Sequence, residues 1–346
     1  MKIALCFLIS GEHNLKKEEI WKKWIEPNKD IINIYFHYKD HTKIESKWIK
    51  EYIIPQSYIV ETSYYHVVPA YMSLMFFAMV QDSENQWFCM LTDSCVPIIS
   101  PFKFRELFFY NHYKSIFSWK KIWWNATVQK RANLRFLKEE FHLGHSPYFV
   151  LCKKDLKCCF KYHSVNYKLY KLICDGGLAN ESIFAIMLKS ENVLGSVINS
   201  STHLTDWVRM SSLTSPHVFK TANSSDLDFL KNEMNSKENM HVMFLRKVHQ
   251  TFPDSILNTY IYETDKNPSY KRIILLEITE SLLFLKSILP YIFFSVSFLY
   301  FIYYLPAISE IIQKKIQAEL VKEVKRDLAS LVANRFATRL HDASNL

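Results

Sequence analysis

Three apolar runs, Ile3–Ile9, Ile31–His37 and Trp87–Asp93, set the pattern of the first part of the chain; each is short and nearly continuous. Runs of this length without polar alternation predict strands buried on both faces. Between them, Leu15–Ile25 and Tyr64–Val80 repeat apolar residues at helical spacing and predict helices. Strands alternating with helices imply an α/β domain with a largely parallel sheet. A further strand is expected at Tyr148–Leu151, followed by a helical segment, rich in lysine and cysteine, from Lys153. The Ser- and Asn-rich stretches Ser190–Thr205 and Ser211–Ser225 predict loops.

The pattern changes after about Asn267, where long apolar and charged helix begins. "SILPYIFFSVSFLYFIYYLPAI", Ser287 to Ile308, is 22 residues without a charge, long enough to span a bilayer. Its prolines, Pro290 and Pro306, lie near its ends, where they disturb a helix least. Beyond it, Ile311–Leu340 has helical periodicity and many Glu-to-Lys neighbours, and predicts an amphipathic juxtamembrane helix. The expected organisation is an enzyme-sized domain at 1–266, a linker and membrane-proximal helix at 267–286, a transmembrane helix at 287–308 and a charged tail at 309–346.

Composition narrows the partners. A 346-residue chain that is 49% hydrophobic buries a large core, and a formal charge of +9 points to anionic company. No zinc-finger spacing, nucleic-acid recognition signature or internal repeat accompanies that charge, so no nucleic-acid partner is expected. The seven cysteines are odd in number and mostly sit in apolar runs, which predicts buried free thiols in a reducing compartment. They have no metal-ligand spacing. The apolar start "MKIALCFLISGEH" reads as a first buried strand and not as a signal peptide, because its apolar run is short and no small-residue cleavage site follows.

One carboxylate needs an explanation. In "GGLANESIFAIML", Gly176 to Leu188, Glu181 opens an otherwise apolar run. Locally, Asn180 would cap a helix and Glu181 would sit in its first turn, favoured by the macrodipole. Other stretches bear on it: "KIALCFLISG", "IYFHYKD" (Ile34–Asp40), "DSENQWFCMLTDSCVPI" (Asp82–Ile98), "TDWVRMSSLTSPHVF" (Thr205–Phe219) and "FLRK" (Phe244–Lys247). Together, in this order over roughly Lys2 to Pro253, they resemble the core-2/I-branching N-acetylglucosaminyltransferases, most closely plant-like or giant-virus members.

The resemblance implies a GT-A-like α/β fold and inverting transfer of a sugar, N-acetylglucosamine from its UDP donor first, to a glycan hydroxyl without a metal or other cofactor. Glu181 would be the general base, as inversion by single displacement requires the acceptor proton to be removed while the bond forms. Lys247, Arg246 and His217 would meet the leaving diphosphate. The chain has no Asp-x-Asp after a strand, and "LTDSC" offers Asp93 alone. His37, Asp93 and Ser94 are the candidate donor contacts, and Trp119 in "FSWKKIWW" is a candidate for stacking on sugar, with core packing the alternative.

The resembled family also includes members that transfer xylose or glucuronate from UDP, which are alternatives here. Lys39 stands where animal relatives carry an aspartate that contacts the nucleotide, which puts uridine in question and leaves a non-catalytic glycan-binding membrane protein as a further alternative. The C-terminal span predicts a single-pass membrane protein. The thiols favour a cytosol-facing catalytic domain, whereas Lys314, Lys315, Lys322, Lys325 and Arg326 would by the positive-inside rule put the tail in the cytoplasm.

Overall fold

The chain's first strand, β1 (Lys2–Ile9), has the apolar content of a central strand, and after Lys2 every residue of it is buried. In the computed structural model, which describes residues 1–9, 14–63, 66–263 and 270–343, its two faces feed two separate cores. Ile3, Leu5, Phe7 and Ile9 enter one; Ala4, Cys6 and Leu8 enter the other. This is the period-2 alternation of a strand covered on both sides.

In chain order β1 is followed by α1 (Glu18–Ile25), β2 (Ile32–Tyr38), α2 (Lys47–Glu51), α3 (Val68–Gln81), β3 (Asn85–Thr92) and β4 (Val96–Pro97). Then come α4 (Pro101–Asn111), β5 (Trp119–Lys121), β6 (Leu143–His145), β7 (Val150–Cys152), α5 (Lys153–Val165) and α6 (Tyr167–Cys174). The remaining elements are α7 (Ile183–Ser190), β8 (His203–Thr205), α8 (Ser224–Met234), β9 (Phe244–Arg246), α9 (Asp254–Asn258) and α10 (Tyr270–Ala343).

The main sheet has the order β2-β1-β3-β7, parallel across β2, β1 and β3 and antiparallel at β7. Trp21 and Trp24 of α1 and Phe104 and Phe108 of α4 fill the core on one face. Leu74 and Met75 of α3, Leu156 of α5 and the run Ile183–Leu188 of α7 fill the other. The chain is thus mixed α/β with helices on both faces of a sheet whose first three strands are parallel. A smaller sheet, β4-β9-β8, continues from the end of β3 and lays β9 beside Val96 and Pro97.

The expected strands are present with small shifts, and two helices start later than expected. α3 begins at Val68, because Pro69 takes a first-turn position where its missing N–H costs nothing. Tyr64, at the expected start of that helix, lies outside the described residues, as do Ser10 and Gly11 of the first motif and the 267–269 end of the linker. α1 begins at Glu18 and not Leu15, because Lys17 adopts a left-handed backbone (φ 61°). Its ammonium is held there by the carbonyls of Gln250 (2.6 Å) and Phe252 (2.5 Å) and by the Asp254 carboxylate (2.6 Å). The stretch Ser190–Thr205, expected as loop, ends in β8.

All seven cysteines are free, and five of them are buried. The chain divides into two compact units, Met1–Ser269 and Tyr270–Leu346. In the second, α10 runs through the expected junctions at 286 and 308 as one helix containing both prolines. Charge pairs one turn apart continue it beyond the apolar stretch, Glu310 with Lys314 (2.7 Å) and Glu319 with Lys322 (3.2 Å). Among the described residues, Leu285–Glu323 is the stretch long and apolar enough to cross a membrane, with mean hydropathy 1.8. Phe293, Phe294 and Tyr291 on it are exposed.

Candidate active site

Ligands of parallel sheets bind beyond the carboxyl ends of the strands. Here that end of β3 is the turn Thr92–Cys95, closed by the Cys95 N–H donating to the Thr92 carbonyl at 3.1 Å. The antiparallel pairing of Val96 with Leu245 brings β9 to this turn, and the Val248 N–H donates to the Ser94 carbonyl at 3.0 Å. Arg246 and Lys247, distant in sequence, therefore meet Asp93 and Ser94.

The cluster is rich in cations. The Arg246 guanidinium lies over the Tyr148 ring, 4.2 Å from its centre, and its buried Nε has no hydrogen-bond partner. The Lys247 ammonium donates to Ser215 Oγ at 2.8 Å. Burial holds the Lys247 pKa below that of an ordinary lysine, the Arg246 and Lys16 charges lower it further, and Asp93 opposes them. Asp93 itself faces Lys16 at 3.8 Å. Among the described residues no carboxylate is bonded directly to these two partly buried cations, and an anion beside them would be stabilised.

Glu181 lies within reach of the Arg246 charge. It ends the single turn Ala179–Glu181, ahead of α7, and the residue at the N-cap of α7 is Ser182, which makes no side-chain cap bond. The local reading of Asn180 as cap and Glu181 as first-turn filler is therefore corrected: Ser182, at φ −143°, breaks the turn from the helix. The Glu181 carboxylate is held instead by Arg131, Nη2 donating to Oε2 at 2.5 Å. Burial raises the Glu181 pKa above the usual carboxylate range, while the charges of Arg131 and then Arg246 pull it down. The Tyr71 hydroxyl is pushed well above its ordinary pKa by burial, and the buried Asn180 Oδ1 has no hydrogen-bond partner among the described residues.

The other expected residues are placed apart or engaged. His217 shares the Lys247 neighbourhood, since the Phe219 N–H donates to the Lys247 carbonyl at 2.9 Å. Its imidazole, however, faces the buried Asp226 (2.9 Å), which also holds Arg209 (2.9 Å). His37 is fully buried, its Nε2 accepts from the Val60 N–H at 3.0 Å, and burial lowers its pKa to about 4. An acceptor at Nε2 puts the proton on Nδ1, which is buried without a partner. Lys39 is exposed and pairs with Glu61 at 2.7 Å. Trp119 sits on the separate β5-β6 pair, half-buried against the second core, and is not joined to the charged cluster. Among the described residues no histidine, cysteine, aspartate or glutamate side chains converge as a metal-ligand group.

A cleft of about 650 Å³ opens beside the start of α1, lined among others by Lys17, Lys22, Trp48 and Asp254. None of the expected site residues lines it. Sequence reasoning missed Arg131, Lys16, Tyr71 and Tyr148. Lys16 and Arg131 carry no periodic signal; only their neighbours in space give them a role.

No curated protein matches the chain. The family model of the Core-2/I-Branching enzyme matches residues 5–232, a stretch that holds Arg131 and Glu181 and ends before Arg246 and Lys247. That match covers most of the chain and both faces of its main sheet, so the protein belongs to the Core-2/I-Branching enzyme family and is a glycosyltransferase.

Proposed function

We propose that the chain is an inverting glycosyltransferase of GT-A-like fold that moves a sugar, N-acetylglucosamine from UDP first, to a glycan hydroxyl without a metal. Glu181 takes the acceptor proton; Lys247 and Arg246 stabilise the leaving diphosphate, and Asp93 and Ser94 line the donor side. The observation that carries this reading is the position of Arg246, whose charge acts on both Glu181 and Lys247. A base and a phosphate site must lie within one sugar's reach for displacement to occur. His217, with Nε2 turned to Asp226, orders the loop around Lys247 and has its other ring nitrogen for the phosphate.

The chemistry follows from the charges. A carboxylate raised by burial is a stronger proton acceptor than one in water, provided it is ionised at the working pH. The diphosphate gains charge as the glycosidic bond breaks, so cations fixed beside it favour the transition state over the ground state. Hydrolysis of UDP-N-acetylglucosamine, UDP-xylose and UDP-glucuronate, each with and without EDTA, tests donor and metal together. The rate with the preferred donor is expected to survive EDTA. A rate abolished by EDTA and restored by manganese would overturn the metal-free reading and turn attention to Asp93.

We further place the family domain at 1–266 on the cytosolic side of a membrane, anchored by the helix at 287–308, with 309–346 as an amphipathic tail. Free, mostly buried thiols in the first unit support that side. In sealed vesicles, external protease is expected to digest the first unit and spare the tail. The reverse result would follow the positive-inside rule for Lys314, Lys315 and Lys322 and overturn this orientation.

A further inference from the structure

We infer that Arg131 is a positioning residue for Glu181, holding its carboxylate ionised and in one orientation for proton abstraction. The inference rests on the reading of Glu181 as the base. Arg131 reaches Glu181 from the irregular segment between β5 and β6, and the bond between them is 2.5 Å long with both side chains mostly shielded from water.

The backbone is shaped to bring the two together. The Ala132 N–H donates to the Gly177 carbonyl at 2.8 Å, and Arg131 forms a parallel bridge with Gly177. A side chain at Gly176 could not be accommodated, since its Cβ would come within 2.4 Å of the Asn133 backbone nitrogen. Gly176 thus admits the Arg131 segment against the turn that carries the base. Ala132, Asn133 and Leu178 all have left-handed backbones (φ 49°, 51° and 55°). Non-glycine residues adopt that conformation at a cost, and here they flank both members of the ion pair. Asn133 is tied down through its Nδ2 to the Leu172 carbonyl at 2.7 Å.

The guanidinium is also fixed from its other side. It lies over the Trp124 ring, 4.3 Å from the centre, and Trp123 packs edge-on against Trp124 at 4.6 Å. Gly144 leaves room for both indoles, as a Cβ there would meet them at 3.0 and 3.1 Å. A planar cation stacked on one face and bonded at its edge has one orientation, which a lysine would not reproduce. Among the described residues, the charged groups acting on Glu181 are Arg131 and, from β9, Arg246. Without Arg131, burial acts on the carboxyl opposed by Arg246 alone, and its proton affinity rises.

The test uses the full chain in detergent, with side-chain-carboxyl ¹³C-labelled glutamate and the Glu181 signal assigned by its loss in Glu181→Gln. In Arg131→Gln the Glu181 carboxyl is expected to titrate about one pH unit higher than in the parent, with Arg131→Lys between them. The acid limb of sugar transfer should move by the same amount, and turnover at neutral pH should fall about tenfold or more. Unchanged titration in both variants would overturn the inference, and the lysine variant keeps it testable if the glutamine variant misfolds. If Glu181→Gln keeps full turnover, the base reading has failed. If Glu181→Gln loses turnover while Arg131→Gln keeps the parent's rate and pH profile, only the positioning role has failed.

Discussion

Glu181→Gln is expected to lower sugar transfer by about two to four orders of magnitude, the usual worth of a general base, with donor affinity nearly unchanged. The glutamine keeps the size of the side chain and an oxygen for Arg131, yet cannot hold the acceptor's proton. Thermal stability should hardly move. The Glu181 pKa is raised in the folded protein, chiefly by burial. A carboxyl raised in the fold contributes stability while protonated and loses it as the pH rises through its folded value, so the ionised form at neutral pH is the less favoured one. Replacing it with a neutral amide removes that cost while weakening the bond to Arg131, and the two changes oppose each other. By the same sign, the parent enzyme should lose turnover as the pH falls through the raised Glu181 value. Turnover and melting point measured on one mutant decide the matter: full turnover with a lowered melting point would leave Glu181 a structural residue.

Lys247→Ala is expected to lower turnover by about a hundredfold to a thousandfold, the loss seen when one preorganised donor to a developing negative charge is removed. Donor binding should weaken less, because the charge that Lys247 meets grows between ground state and transition state. Stability should hold or rise. Burial, and then Arg246 and Lys16, depress the Lys247 pKa. A lysine so depressed contributes stability only above its unfolded pKa, as a neutral amine, and its charged form at neutral pH is a cost to the fold. Single-turnover kinetics with differential scanning calorimetry would check both halves. A lower melting point with unaltered turnover would reduce Lys247 to a ligand of Ser215.

The sequence by itself determined the layers of this protein. Continuous apolar runs at Ile3–Ile9 and Trp87–Asp93 can be buried only as strands covered on both faces, and the structure covers them with α1 and α4 on one side and α3, α5 and α7 on the other. Apolar periodicity is a property of neighbouring residues, so it is legible without a fold. The helix starts were less legible, because Pro69 and the clamp on Lys17 override periodicity. Motif order along the chain pointed to the family, and to Glu181 and Lys247 with it.

Tertiary structure alone decided what those residues touch. Glu181 looked like a helix-end charge because its partner, Arg131, is far off in sequence and joins it only through the close approach at Gly176. His217, a candidate for phosphate from its motif, has Asp226 2.9 Å from its Nε2, a partner that only the fold supplies. Trp119 lies on the separate β5-β6 pair, whereas Asp93 follows β3 of the main sheet and faces Lys16 and Lys247. An ion pair or a raised carboxyl depends on which groups fold into the same low-dielectric space, and sequence spacing carries no record of that.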